Sequence, residues 1–186
     1  MKIERFFIVP EDSLLVVVDV QEKLVNAMKE DIVEKILKNI VTLIELCKIY
    51  QIPIIITEQY PKGLGKTLSK IKELINEEPI EKISFSSVGE ERFMKKIKDT
   101  KRRKIILTGM ETHVCVLQTA LDLIARDYHV FVPYDAVCSR RKLDWRFGLE
   151  LMKETGAVVS STETLVFQIL KKAGTPEFKR ILEFIK

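Results

Sequence analysis

Several residue types and patterns are scarce in this chain of 186 residues. Two histidines cannot build a His-rich metal centre, and three cysteines without CxxC spacing exclude a disulfide framework and a zinc ribbon. Seven glycines and six prolines exclude a collagen-like or low-complexity chain. The longest uncharged apolar run, residues 14–18, is far shorter than the ~18–20 residues that span a bilayer. Acidic side chains occur too early for a secretory signal, so we expect a cytoplasmic protein.

The charge of the chain is modest and evenly spread. There are 31 basic and 27 acidic residues, which leave a net charge of +4 at pH 7. The run at residues 95–104 is strongly basic but contains no aromatic residue, so we interpret it as a solvated connector. We therefore expect neither a nucleic acid nor a membrane as a partner.

Short apolar runs alternate with amphipathic segments along the chain. The apolar runs predict strands at residues 14–18, 53–56, 105–107, 129–132 and 157–159. Helical spacing predicts helices at residues 31–50, 90–98, 112–126 and 142–155, and two more after the N-cap residues Ser160 and Thr175. This alternation predicts a single α/β domain over residues 1–186, a three-layer α/β/α sandwich doubly wound around a mostly parallel sheet.

Some local patterns resemble functional motifs but lack a required feature. The GKT at residues 65–67 lacks the glycine five positions earlier that a phosphate-binding loop needs. On one helix, His113 would point about 200° away from Cys115, so we do not expect it to activate that thiol. Cys47 falls on an apolar helix face and Cys138 in a loop, where packing is the simpler interpretation.

Residues that directly follow the predicted strands are the candidates for a functional site, because ligands of doubly wound folds bind there. Asp19 ends the first strand, where a buried carboxylate needs a compensating partner or a functional role. Capping a helix or forming a hydrogen bond within a loop is an alternative role for this residue. Cys115 falls in the first turn of a predicted helix, which would lower its thiol pKa; a buried structural cysteine is an equal alternative. Lys82 lies in a further loop that we expect at the same edge of the predicted sheet, where the strands end.

Three segments together resemble the motifs of the isochorismatase-like cysteine hydrolases, in the order and spacing of that family. They are VVVDVQ at residues 16–21, KISFS at 82–86 and GMETHVCV at 109–116. Three more resemble the subgroup of isochorismatase domain-containing proteins, namely TEQYPKGLG at 57–65, DAVCSR at 135–140 and STETLVFQ at 161–168. The resemblance extends from about residue 14 to residue 186.

The resemblance implies a catalytic triad of Asp19, Lys82 and Cys115. Asp19 would be the general base, and Lys82 would hold its carboxylate and the thiolate by charge. Cys115 would attack a carbonyl to give a thioester that water hydrolyses. The resemblance also implies a cis peptide bond between Met110 and Glu111, and an oxyanion hole formed by the N–H groups of Glu111 and Cys115.

Further polar and aromatic residues of these segments are candidates for the substrate pocket. They are Gln21, Gln59, Tyr60, Phe85 and Thr112. No histidine precedes position 113, so we do not expect the metal site of the related nicotinamidases, nor a cofactor. The resemblance implies a small substrate with an amide, ureido or related C–N bond, and a homo-oligomer of two or more copies.

Two other functions are compatible with the same residues. A binding or regulatory protein could keep the site without efficient catalysis, and Asp19→Asn would then change only ligand affinity. Redox sensing by Cys115 and Cys138 would require their Cα atoms to lie within about 7 Å. The presence of the cysteine argues against the vinyl ether cleavage of siderophore-type isochorismatases, which lack it.

Overall fold

The computed structural model describes residues 3–185, and every strand of that range belongs to one parallel sheet. The strands of that range are β1 (Ser13–Val18), β2 (Ile54–Gln59), β3 (Ile80–Lys82), β4 (Lys104–Met110), β5 (His129–Pro133), β6 (Val137–Cys138) and β7 (Val158–Ser160). Their order is β3-β2-β1-β4-β5-β7, and β6 pairs with the end of β4. The central strand β1 therefore lies between β2, which follows it in the chain, and β4.

Helices cover both faces of this sheet. They are α1 (Glu22–Asn26), α2 (Glu30–Tyr50), α3 (Pro61–Leu64), α4 (Ser69–Lys72), α5 (Glu91–Thr100), α6 (Leu117–Ile124), α7 (Lys142–Glu154), α8 (Thr162–Leu170) and α9 (Pro176–Ile185). Single 3₁₀ turns occur at Ile3–Phe6, Pro10–Asp12 and Ser87–Gly89, and a π-helical turn at Thr112–Val116 leads into α6. Within residues 3–185, no helix is long and apolar enough to cross a membrane.

The strands are apolar on both sides because both sides are covered. All six residues of β1 are buried. Leu15 and Val17 pack with α2, α8 and α9, whereas Leu14 and Val16 pack with α5, α6 and α7 on the opposite face. Each such side chain stabilises the fold by about 1.5–3 kcal/mol. The three-layer fold predicted from the alternation of apolar runs is thereby confirmed.

One glycine allows the ends of β1 and β4 to approach closely. Gly109 has a φ of +110°, and a Cβ atom there would lie 1.9 Å from the carbonyl oxygen of Val18. Only glycine fits this position without displacing the backbone. The residues after both strands are thus brought together at one edge of the sheet.

Some element boundaries differ from the prediction. The N-cap of α8 is Ser161, whose Oγ accepts from the Thr164 N–H at 3.1 Å. The predicted cap, Ser160, instead ends β7, where it pairs with Pro133. The cap predicted at Thr175 is confirmed, because its hydroxyl accepts from an N–H three residues later at 3.1 Å.

Candidate active site

Three strand ends meet at the carboxyl edge of the sheet. Asp19 directly follows β1, Lys82 ends β3, and the segment after β4 carries Cys115. The strands β2 and β3 lie on one side of β1, whereas β4 and the strands that follow it in the chain lie on the other side. Such a reversal leaves a crevice at the carboxyl ends of the central strands, which is where doubly wound proteins bind ligands.

A buried ion pair forms the centre of the site. Lys82 Nζ lies 2.7 Å from Asp19 Oδ2, and both side chains are 0% exposed. The Thr57 hydroxyl donates to Asp19 Oδ1 at 2.7 Å. Lys82 also donates to Gln59 Oε1 at 2.6 Å and to the Phe85 carbonyl at 3.0 Å. Both charges are therefore compensated, as buried charges must be.

Burial and charge set the protonation of Asp19 and Cys115. Burial raises the pKa of Asp19, while Lys82, Thr57 and Cys115 oppose the rise. Burial and the Asp19 carboxylate together raise the pKa of the Cys115 thiol to about 12, with Lys82 acting in the opposite direction. The thiol therefore keeps its proton at neutral pH. This corrects the expectation that a helix N-terminus lowers the thiol pKa, since burial outweighs it.

Cys115 occupies the π-helical turn Thr112–Val116. The Glu111 carbonyl accepts from the N–H groups of Val114 at 3.1 Å and Val116 at 3.2 Å, the residues on either side of Cys115. Cys115 itself is buried, with 5% of its surface exposed.

The surroundings of the π-helical turn hold it against α7 and β6. The Met110–Glu111 peptide bond, at the start of the turn, is cis. Gly148 of α7 lies so close that a Cβ there would be 3.1 Å from His113 Cα. His113 Nδ1 is 2.9 Å from Ser139 Oγ. The imidazole thus contacts the segment after β6.

The two glutamines among the pocket candidates are buried and hydrogen-bonded. Gln59 Oε1 accepts from Lys82 and lies 3.9 Å from Cys115 Sγ, so this amide joins the lysine to the thiol. Gln21 Nε2 donates to the carbonyls of Gln59 at 3.0 Å and Gly65 at 2.7 Å, and its Oε1 accepts from the Gln59 N–H at 2.7 Å. Gln21 therefore fixes the end of β2, which carries Gln59.

The other three pocket candidates differ in exposure. Tyr60 and Phe85 are 51% and 54% exposed. Thr112 is 0% exposed, and its hydroxyl has no hydrogen-bond partner among the described residues. Thr57, which the sequence places in the TEQYPKGLG segment but which is not among the predicted site residues, pairs with Val18 across β1 and β2. Its position directly after three isoleucines in β2 puts its hydroxyl at the carboxyl end of the strand, beside Asp19.

No cluster of three or more possible His, Cys, Asp or Glu metal ligands occurs within residues 3–185.

A model of the isochorismatase domain matches residues 13–164. The chain belongs to the isochorismatase family. The predicted family is thus confirmed, and the α/β sheet described above is the hydrolase fold of the isochorismatase family.

Relatives within the isochorismatase family match nearly the whole chain. The secreted isochorismatase effector Isc1 of Phytophthora sojae is 35% identical over 184 residues, which cover 96% of this chain and 87% of that protein. Isochorismatase domain-containing protein 2A of Mus musculus is 33% identical over 180 residues, covering 96% and 85%. A solved structure, the MAR1 ribonuclease from Caenorhabditis elegans, is 38% identical with a TM-score of 0.88 and covers 96% of this chain and 92% of its own.

Proposed function

We propose that the chain is a cysteine hydrolase that cleaves a small amide-like C–N bond through a thioester on Cys115. The observation that carries this proposal is the fully buried Asp19–Lys82 pair, with a Nζ–Oδ2 distance of 2.7 Å, beside a cysteine thiol. Burying an ion pair is costly and contributes little to stability. A pair kept at the strand ends next to a nucleophile is therefore best explained by its use in catalysis.

In the first half of the reaction, Asp19 acts as the base. Cys115 Sγ forms a bond to the substrate carbonyl carbon while its proton passes to the Asp19 carboxylate. The carbonyl oxygen becomes an oxyanion, which accepts from the N–H groups of Glu111 and Cys115. As the C–N bond breaks, Asp19 returns the proton to the departing nitrogen, which leaves as an amine or ammonia. The acyl group stays on Sγ as a thioester.

In the second half, water replaces the amine. Asp19 takes a proton from water as the oxygen attacks the thioester carbonyl, and the C–S bond then breaks. The sulfur takes the proton from Asp19, so the thiol is regenerated and a carboxylic acid leaves. Lys82, 2.7 Å from Asp19 Oδ2, holds the Asp19 carboxylate in place throughout.

The raised thiol pKa supports this use of Asp19. With a pKa of about 12, Cys115 is not a thiolate at neutral pH and needs a base at the moment of attack. The raised pKa of Asp19 brings that carboxylate closer to the pH at which a general base works best.

The surface around the site supports a small substrate and a homo-oligomer. Tyr60, Phe85 and Ile83 are half or more exposed beside the triad, and they offer apolar contacts to a small substrate.

On α7, Leu143 and Phe147 are 62% and 55% exposed and lie one helical turn apart. Exposed apolar stripes of this kind are typical of faces between subunits.

Loss of the nucleophile tests the proposal directly. A panel of small primary amides and ureides is assayed for ammonia release. RNA is tested separately for chain cleavage by gel electrophoresis, because the Caenorhabditis elegans relative is described as a ribonuclease. Cys115→Ala should release no ammonia and should show no acyl adduct when its intact mass is measured. The matched control Cys138→Ala should still release ammonia and form the acyl adduct. Ammonia release by Cys115→Ala at the wild-type rate would contradict the proposal. Saturable binding without turnover by the wild type would favour the binding-protein alternative.

Thiol labelling separates the role of Asp19 from that of the thiol. Because the Asp19 carboxylate raises the pKa of Cys115, Asp19→Asn should move iodoacetamide labelling of Cys115 to lower pH. The same variant should lose turnover, because its base is gone. A thiol that becomes more reactive in a slower enzyme is the expected signature; labelling that moves to higher pH would refute the assignment.

A further inference from the structure

A cleft of about 370 Å³ lies outside the ends of β5 and β6. The beginning of α2, the beginning of α7 and residues 134–140 enclose it, and Cys115 does not line it. Its volume falls within the roughly 300–1,000 Å³ that is typical of small-molecule sites. The mechanism proposed above makes no use of this cleft.

Part of the lining is apolar and aromatic. Ile32, Ile36 and Val137 contribute aliphatic surface. Tyr134 and Trp145 form an edge-to-face pair with ring centroids 6.3 Å apart, and Trp145 Nε1 donates to the Tyr134 carbonyl at 3.1 Å. This fixed wall suits the apolar or aromatic body of a ligand.

The remainder of the lining is cationic. The charged side chains are Lys29, Lys35, Arg140, Lys142, Asp31 and Asp135. Asp135 Oδ1 already accepts two hydrogen bonds from Thr162, at 2.8 Å each. Within residues 3–185, none of the three lysines has a carboxylate within the 4.0 Å of an ion pair. Four cations face the two carboxylates of the lining and the Glu111 carboxylate, which pairs with Arg140, and this excess of positive charge favours an anionic ligand.

Arg140 is held in a position to bind such an anion. Its backbone N–H and its Nε donate to Glu111 Oε2 at 3.0 and 3.1 Å. Its two Nη nitrogens make no further hydrogen bond to the residues that the structure describes. An anchored guanidinium with free N–H groups matches the planar geometry of a carboxylate.

We propose that this cleft is a second binding site, for a small organic anion with a carboxylate head on Arg140 and an apolar or aromatic body against Trp145. The lysines Lys29, Lys35 and Lys142 add the long-range attraction. The proposal goes beyond the hydrolase function and does not depend on it, since no residue of the Asp19–Lys82–Cys115 site lines the cleft.

The fluorescence of the protein offers a direct test. The sequence contains one tryptophan, Trp145, so its emission reports on this cleft alone. Benzoate is the probe, and benzamide is its neutral match of the same shape; both are titrated into Cys115→Ala, which lacks the proposed nucleophile, so that benzamide is not converted into benzoate. Benzoate should change the emission in a saturable manner, with benzamide binding about tenfold more weakly because it lacks the charge-assisted hydrogen bonds. Arg140→Gln should weaken benzoate binding about tenfold.

Two further variants keep the test decisive. Lys35→Gln does not touch Glu111 and should weaken benzoate binding with the fold intact, a loss that added salt reproduces. Arg126→Gln removes an exposed arginine outside the cleft, paired with Asp122, and should leave the affinity unchanged. The proposal is overturned if benzoate gives no saturable change, if benzamide binds equally well, or if both Arg140→Gln and Lys35→Gln bind benzoate like the wild type.

Discussion

The buried ion pair predicts a large loss of stability when its lysine is removed. Lys82→Met keeps most of the side-chain volume but leaves the Asp19 carboxylate, 0% exposed, without the ammonium group that lies 2.7 Å away. Breaking a buried pair by removing one partner costs about 3–5 kcal/mol. The free energy of unfolding of a typical domain is about 5–15 kcal/mol, so the variant should fold with much of its stability gone.

The pH dependence of this loss has a definite sign. Lys82 lowers the pKa of Asp19, so its removal raises the folded-state pKa further above the unfolded value of about 3.9. A carboxyl whose pKa is higher in the folded state is most stabilising when protonated, and this stability is lost as the pH rises through the folded pKa. The deficit of Lys82→Met relative to the wild type should therefore be largest above the variant's Asp19 pKa. As the pH falls from the Asp19 pKa of the folded variant to the Asp19 pKa of the folded wild type, the deficit should shrink by about 1.4 kcal/mol for each pH unit.

Urea unfolding followed by circular dichroism from about pH 5 to about pH 8 measures this deficit. The matched control is Lys95→Met, which breaks an exposed pair with Asp99 and should leave the urea midpoint nearly unchanged, because solvent screens exposed ion pairs. The double variant Asp19→Asn/Lys82→Met should regain part of the loss, because no uncompensated charge remains. A deficit for Lys82→Met no larger than that of the control, or one that is the same at every pH, would refute this reasoning.

Two further predictions concern the strand ends around the site. Gly109→Ala should cost more than about 4 kcal/mol in urea unfolding, because its Cβ would lie 1.9 Å from the Val18 oxygen. Gly156→Ala has a similar φ of +109° but open space around it and should cost only about 1–2 kcal/mol, so equal urea midpoints would contradict the close approach. Thr57→Val removes a hydrogen bond that lowers the pKa of Asp19, so the acidic limb of the kcat/KM profile should move to higher pH; a shift to lower pH would exclude Asp19 as the base.

The sequence predicts the long buried strands well and the short edge strands poorly. The apolar run at residues 14–18 leaves out only the first residue of β1, because a strand covered on both faces needs apolar side chains throughout. β3 has three residues with an exposed glutamate between two buried residues, and β6 has only two residues, so neither produces an apolar run. Both form through parallel pairing with strands distant in the sequence, Gln59 with Lys82 and Met110 with Cys138. Lys82 could therefore be singled out by resemblance to a family, but not by its local pattern.

The protonation state of Cys115 shows why local rules stop short of the site's chemistry. A cysteine at the start of a helix is expected to have a lowered pKa, yet the packing around it and a carboxylate nearly a hundred residues earlier in the chain raise it. Cys138 shares this condition, since burial and Glu111 raise its pKa to about 12. Redox-sensing cysteines are accessible and have low pKa values. Two buried thiols that keep their protons therefore argue against redox sensing, and the attack that we propose for Cys115 requires a base, the role that we propose for Asp19.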